Sequence, residues 1–208
     1  MIGWSDWSES FVIPSGALDA YHSLQHLTAG ACVAAHLHDG PENGLIVGGV
    51  VTRWDEYGER RLEMGSSFLT PAAVIHGTGN TTTVDAEQIT LHVLPRGAPF
   101  ARPCASASFP AAAPGASTRV RVCFALDDFG SRISTRHAIA TVVHALPLPA
   151  SDDRMLLTVL AGEVEIEDRP ATTNEGRYIA RRAATTLVRG CGAIVVTEIR
   201  LLGTAAAR

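Results

Sequence analysis

The sequence predicts an all-β chain of two barrel- or sandwich-like units of about equal size, on three observations. Short runs rich in Val, Ile, Leu and Thr are broken at intervals by Gly, Asn, Asp and Pro, the pattern of strands and turns. No βαβ alternation or heptad repeat accompanies them, which leaves layered all-β architectures. The stretches LIVGGVVTRWDEYGERRLEMGSSFLTP and LTVLAGEVEIEDRPATTNEGRYIAR share an apolar strand, a glycine, a second strand, a charged turn and another glycine before a third strand. One duplicated unit explains both.

In chain order, strands are expected at Tyr21–Leu27, Ala31–His36, Leu45–Trp54, Ser67–Leu69 and Ile89–Leu94, then at Val120–Leu126, Ala138–Leu146, Met155–Ile166 and Ala193–Leu201. Between the two sets, residues 95–118 hold Pro95, Pro99, Pro103, Pro110 and Pro114 among alanine, serine and glycine, a composition that suits an extended connector. The expected division is therefore a first unit over 1–96, a linker over 97–118 and a second unit over 119–208. At 208 residues, two such units are each long enough to bury a core.

Composition narrows the classes of function. With 46% hydrophobic and 18% charged residues the chain is too apolar for a disordered protein. A formal net charge of -4, with no cluster of cations, argues against nucleic acid or an anionic membrane as partner. All the basic residues are arginines. Cys32, Cys104, Cys123 and Cys191 are widely spaced, without a C-x-x-C pair, and read as reduced thiols. Met1 to Pro14 lacks the basic and apolar regions of a secretory signal, and no apolar run approaches the ~20 residues of a membrane span. A soluble, cytoplasmic protein is expected.

The chemistry concentrates in GACVAAHLHDGPENGLIVGG, residues 30–49. Side chains two apart on a strand share a face, so His36 and His38 present their imidazoles together. Gly40 and Pro41 then turn the chain, and Glu42 can return to the same interior. A third histidine, His76, lies in GSSFLTPAAVIHGTGN, a second strand-and-turn segment. Three imidazoles and one carboxylate suit Fe(II), Mn(II), Ni(II), Co(II), Zn(II) or Cu(II). An octahedral ion so held keeps two neighbouring positions open, as a catalytic rather than a structural site requires.

These segments resemble the cupin superfamily. Its first motif, G(X)5HXH(X)3-4E(X)6G, is met at Gly30, His36, His38, Glu42 and Gly49. Its second, G(X)5PXG(X)2H(X)3N, is met at Gly65, Pro71, His76 and Asn80, with Ala73 in place of the middle glycine. The resemblance covers about residues 20–95 and implies a jelly-roll-like β-barrel enclosing a metal held by His36, His38, Glu42 and His76, in a chain that commonly dimerises through edge strands. The same template on the second half puts Gly162 and Gly176 at turns but Pro149, Ser151, Met155 and Leu187 at the ligand positions. The second barrel is thus expected to be degenerate and metal-free, serving as a structural or dimerising partner or as a second pocket. His137 and His144 precede that ligand strand and read as satisfied or exposed histidines.

A second likeness concerns IHGTGNTTTVDAEQITLHVLPRGAPF, which looks like the segment of thiol dioxygenases that carries an outer relay of hydroxyl, histidine and tyrosine. Thr90 and His92 fit the first two places, and Leu94 replaces the phenol. Retention of Glu42 brings the chain closer to the three-histidine, one-glutamate cupin dioxygenases. The resemblance implies a non-heme Fe(II) dioxygenase acting on a small molecule that chelates the metal, with Glu42 as ligand and base and His92 as an orienting residue. Non-redox chemistry at the same site (isomerase, cyclase, lyase or decarboxylase) and a binding cupin without turnover are the alternatives. Arg53 and Trp54 are placed near the cavity mouth, Arg53 reading as a solvated arginine or as a clamp on a substrate carboxylate. On the strand that enters the barrel, either His22 and His26 or Tyr21 and Gln25 face inward.

Overall fold

A computed structural model describes residues 4–6, 8, 10–105, 109–126, 132–179 and 185–202. Among these every regular element is a strand: β1 Phe11–Val12, β2 Leu18–Leu27, β3 Cys32–Leu37, β4 Glu42–Gly48, β5 Val50–Asp55, β6 Gly58–Glu63, β7 Ser67–Thr70, β8 His76–Gly79, β9 Ala86–Pro95, β10 Arg102–Pro103, β11 Ala116–Leu126, β12 Arg132–Leu148, β13 Arg154–Ile166, β14 Arg169–Thr172, β15 Gly176–Ile179 and β16 Thr186–Leu202. The all-β expectation holds, and each run read as a strand lies in one, apart from Ala31, which precedes β3, and with Leu45–Trp54 divided between β4 and β5.

That division has a steric cause. Gly49 adopts φ 64°, and a Cβ there would lie 2.5 Å from the carbonyl oxygen of Asp85, so only glycine lets the chain pass.

The chain divides into two compact units, one of Val12–Asp128 and one of Met1–Phe11 with Phe129–Arg208. This differs from the expected boundaries at both ends. Residues 97–118 are not a free connector: they supply β10 to one sheet, and from Ala116 onward β11, which pairs along the whole of β2. Three of them, 106–108, lie outside the described residues. At the N-terminus, Ser5 and Ser8 donate backbone hydrogen bonds to the carbonyls of His137 and Thr135 on β12, tying the first segment to the C-terminal unit.

In the Val12–Asp128 unit two five-stranded sheets, ordered β11-β2-β9-β4-β7 and β10-β3-β8-β5-β6, form the jelly roll. Central strand β9 runs between β2 and β4 and is buried on both faces, so that Thr90 and His92 are as buried as Ile89, Leu91, Val93 and Leu94 beside them. Leu27, Ala31, Ile46, Val51, Phe68 and Ala86 pack one core cluster. Full burial of each larger member contributes roughly 1.5–3 kcal/mol.

The other unit is a six-stranded sheet ordered β1-β12-β16-β13-β14, with β15 also on β13. Its 17-residue strands β12 and β16 pair end to end, and its core joins Val142, Leu148, Met155, Leu157, Ile194 and Val196. His137 is buried there with Nδ1 3.0 Å from Thr197 Oγ1, and burial pushes its pKa down to about 4. His144 is exposed.

Candidate metal centre

Both sheets of the first unit contribute to one cluster. His36, on β3, sits directly opposite His76, on β8. His38 follows β3 by one residue, and its carbonyl accepts the backbone N–H of Ala73 at 2.9 Å. From the opposing sheet, Glu42 opens β4 directly across from His92 on β9. The ring centroids lie 4.4 Å apart for His36 and His76, 5.0 Å for His36 and His38, 5.1 Å for His38 and His76, and 4.4 Å for His38 and His92. Among the described residues two overlapping groups could hold a metal ion, His36–His38–His76 and His38–Glu42–His92, with the donor atoms of each group within 4.8 Å of one another.

The hydrogen bonds of the three histidines decide which nitrogen is free. Nδ1 of His36 lies 2.8 Å from the Ala34 carbonyl, Nδ1 of His38 lies 2.5 Å from that of Phe100, and Nδ1 of His76 lies 3.0 Å from that of Val74. A carbonyl only accepts, so each Nδ1 carries the proton and each Nε2 keeps its lone pair. Nε2 of both His38 and His76 is buried without a hydrogen-bond partner. Burial, ahead of the neighbouring charges, pushes the His38 pKa down to about 3 and lowers that of His36. Neutral imidazoles with Nε2 lone pairs, oriented by backbone carbonyls, are what a divalent cation requires.

Glu42 completes the set. Its Oε2 lies 3.2 Å from His76 Nε2, and two neighbouring donors on one octahedral ion, each ~2.1 Å from it, are about 3.0 Å apart. Its Oε1 lies 3.5 Å from His92 Nε2. Burial alone would raise the Glu42 pKa, but the Arg53 guanidinium more than reverses this and holds the carboxyl well below its ordinary value.

Arg53 corrects one sequence expectation. It is not solvated: at 1% exposure it lies inside the barrel, donates from Nη2 to Glu42 Oε2 at 2.6 Å and to Thr70 Oγ1 at 2.9 Å, and sits 3.9 Å over the Phe68 ring. It is the counter-charge of Glu42, not a clamp at the cavity mouth. Trp54, its neighbour, points the other way, packs beside Gly77 and Gly79, and lines a different cavity with Asp55 and Glu59. On β2 the inward pair is Tyr21 and Gln25: Gln25 lines the metal-site cavity, and Tyr21 packs edge-on to Phe100, with centroids 5.6 Å apart. His26, on the other face, meets the carboxylates of Asp85 and Glu87.

The cluster forms the floor of a cavity of about 420 Å³ lined by His36, His38, Glu42 and His92, and by Gln25, Val33, Thr78 and Phe100 among others. Thr90 and Leu94, the other relay positions, are fully buried in β9, and Thr90 Oγ1 has no hydrogen-bond partner. Phe100 was not foreseen. Its signal was a lone large apolar side chain within a run of Pro, Gly and Ala. Arg53 was foreshadowed by strand alternation, since it shares a face with the buried Val51.

Two facing antiparallel sheets around a His/Glu cluster, with the cupin motifs at the ligand strands, define a cupin-fold protein. The solved structures agree on the fold. AerE from Microcystis aeruginosa superposes with a TM-score of 0.56 at 14% identity, over 88% of this chain and 88% of that one. YhhW from Escherichia coli gives 0.55 at 14%, over 98% and 99%. A structure of the same bacterial pirin in complex with nickel(II) gives 0.55 at 13%, over 97% and 100%. No protein-family model matches the sequence, and no curated protein does. The chain therefore has the cupin fold, and a shared fold carries no activity with it.

Proposed function

We propose that the chain is a metal-dependent cupin enzyme, a non-heme Fe(II) dioxygenase or oxygenase acting on a small molecule that chelates the metal. One observation carries this reading: three Nε2 lone pairs converge in a cavity while every Nδ1 is tied to a backbone carbonyl. His36, His38 and His76 hold the ion through Nε2, and Glu42 joins through a carboxylate oxygen. Bound Fe(II) would supply a redox-active Lewis acid with open positions for substrate and dioxygen.

The protein's own groups do the rest. Arg53 keeps Glu42 ionised and fixes the carboxylate by holding Oε2. His92, facing Oε1, is placed to hold or return a substrate proton, so that Glu42 and His92 form an acid–base pair beside the ion. The walls above them are mostly apolar, which strengthens the charge interactions at the floor.

The test is metal content by plasma mass spectrometry on untagged protein, wild type beside His38→Ala, followed by oxygen uptake. Near one equivalent of iron in the wild type, lost in the variant, together with substrate-dependent O2 consumption, is the expected result. Turnover that survives strict anaerobiosis with Zn(II) in the site would overturn the oxygenase in favour of Lewis-acid chemistry. No metal in either protein would overturn the enzyme.

A further inference from the structure

The roof of the cavity comes from the segment that composition marks as connector. Leaving β9, the chain is anchored by Arg96, whose Nε lies 3.3 Å from Asp19 Oδ1. It is anchored again by Arg102, whose Nη2 lies 2.7 Å from Asp39 Oδ2, and by the pairing of Arg102 and Pro103 with Leu37 and His36. Between these anchors Phe100 meets the cluster in two ways. Its carbonyl accepts the Nδ1 proton of His38. Its ring lines the cavity, with its centroid 4.6 Å from that of His92 and 5.4 Å from that of His38, and is backed by Tyr21.

Around that ring the cavity is mostly apolar, with Leu27, Val33, Ala35 and Pro103 on its walls. Among the described residues, the ionisable groups on its lining are those of the metal cluster, and no arginine is among them. The buried cation nearby, Arg53, donates through Nη2 to Glu42 and Thr70 and does not line the cavity, although its buried Nη1 has no hydrogen-bond partner. A bound ligand therefore meets a flat aromatic wall and, among the described lining residues, no partner for an anionic tail.

We infer that Phe100 is a specificity-determining residue of the metal site, selecting flat chelators without an anionic tail. This rests on the metal-enzyme reading. Aromatic rings gain from offset or edge-on packing against one another, whereas a carboxylate brought into an apolar cavity without a cation loses its hydration uncompensated.

The experiment uses the full chain loaded with Zn(II), which is redox-inert, and calorimetric titration with three probes: catechol, acetohydroxamate and 3,4-dihydroxybenzoate. Phe100→Ala keeps the backbone carbonyl that orients His38, so zinc stoichiometry should match the wild type. Catechol affinity should fall about 10-fold in Phe100→Ala, with acetohydroxamate held within about twofold. Phe100→Leu, apolar but not flat, should fall between wild type and Phe100→Ala. In the wild type, 3,4-dihydroxybenzoate should bind about 10-fold more weakly than catechol. If catechol and acetohydroxamate weaken together, if neither changes, or if the carboxylated probe binds as well as catechol, the inference is wrong while the metal site stands. If the wild type takes up no zinc, the metal-enzyme reading fails and the inference falls with it.

Discussion

Strands β4, β7 and β9 of the first unit and β13, β15 and β16 of the second are two versions of one frame. In the first, Ile46 N–H donates to Ser66, Gly65 N–H to Ile46, and Ser66 N–H to Glu63; in the second, Val159 N–H donates to Glu175, Asn174 N–H to Val159, and Glu175 N–H to Thr172. Gly49 and Gly162 both take positive φ where a Cβ would strike the next strand's backbone. Asn174, at φ 69°, rather than Gly176, occupies the place of Gly65 at φ 91°.

The interiors differ at equivalent positions. Glu42 faces Thr70 and His92, whereas Met155 faces Ile179 and Glu198. Met155 is fully buried in an apolar cluster, and Glu198 is paired with Arg136, which lies 4.4 Å over the Trp4 ring. The backbone frame thus does not select a metal site; a few side chains pointing into it do.

Exchanging the two central side chains gives the largest expected effects. Met155→Glu puts a carboxylate among apolar side chains and one strand away from Glu198, and should destabilise by about 4 kcal/mol or more. Glu42→Met removes the ionic partner of a guanidinium at 1% exposure and should cost about 3 kcal/mol in metal-free protein. Urea unfolding in the presence of a chelator measures both. A Met155→Glu protein within about 1 kcal/mol of wild type would show that the second frame retains room for a polar centre.

Removing the counter-charge instead of the carboxylate changes the sign of a pH dependence. The Glu42 pKa is depressed in the folded protein, so the Arg53–Glu42 pair contributes stability above the unfolded-state value of about 4.3, and that stability is lost as pH falls through the folded value. In Arg53→Met, burial acts unopposed by the guanidinium and raises the carboxyl. Its contribution then weakens as pH rises above about 4.3, and stability near pH 7 should be lower by about 2–3 kcal/mol. Chemical denaturation of chelator-treated protein from pH 4 to 8 reads this directly. Parallel profiles for variant and wild type would remove Arg53 from the role of counter-charge.

Legibility in the sequence followed the range of the interactions. His36, His38 and Glu42 could be picked out because strand periodicity and one turn bring them together, and His76 because its segment resembles the second cupin motif; the structure gathers all four. Arg53 was misplaced because an arginine on a strand reads as solvated unless its buried partner is known, and that partner lies on another sheet. Phe100 was hidden by composition, since proline and glycine describe a segment's backbone and not what an aromatic ring within it touches. The exchange of the N-terminal segment to the C-terminal unit depends on Ser5 and Ser8 meeting β12, more than a hundred residues away, and no local pattern encodes it.

The smallest effect is expected at the one motif position where the sequence departs from the cupin pattern. Ala73 sits at φ 62°, a left-handed conformation that costs a residue with a Cβ roughly 1–2 kcal/mol. It keeps that conformation because its N–H donates to the carbonyl of His38, holding the turn before His76 against the ligand segment. Ala73→Gly removes the strain but gives the unfolded chain more freedom, so the net gain should be only about 0.5–1 kcal/mol. Zinc affinity should be unchanged, because the backbone donor survives the substitution. Val84 offers a control, being exposed and outside the left-handed region, so Val84→Gly should bring no gain. If Ala73→Gly instead destabilises, or loosens zinc, then the methyl group packs in the turn and positions His38, and the alanine is a fitted part of the metal centre rather than a tolerated departure.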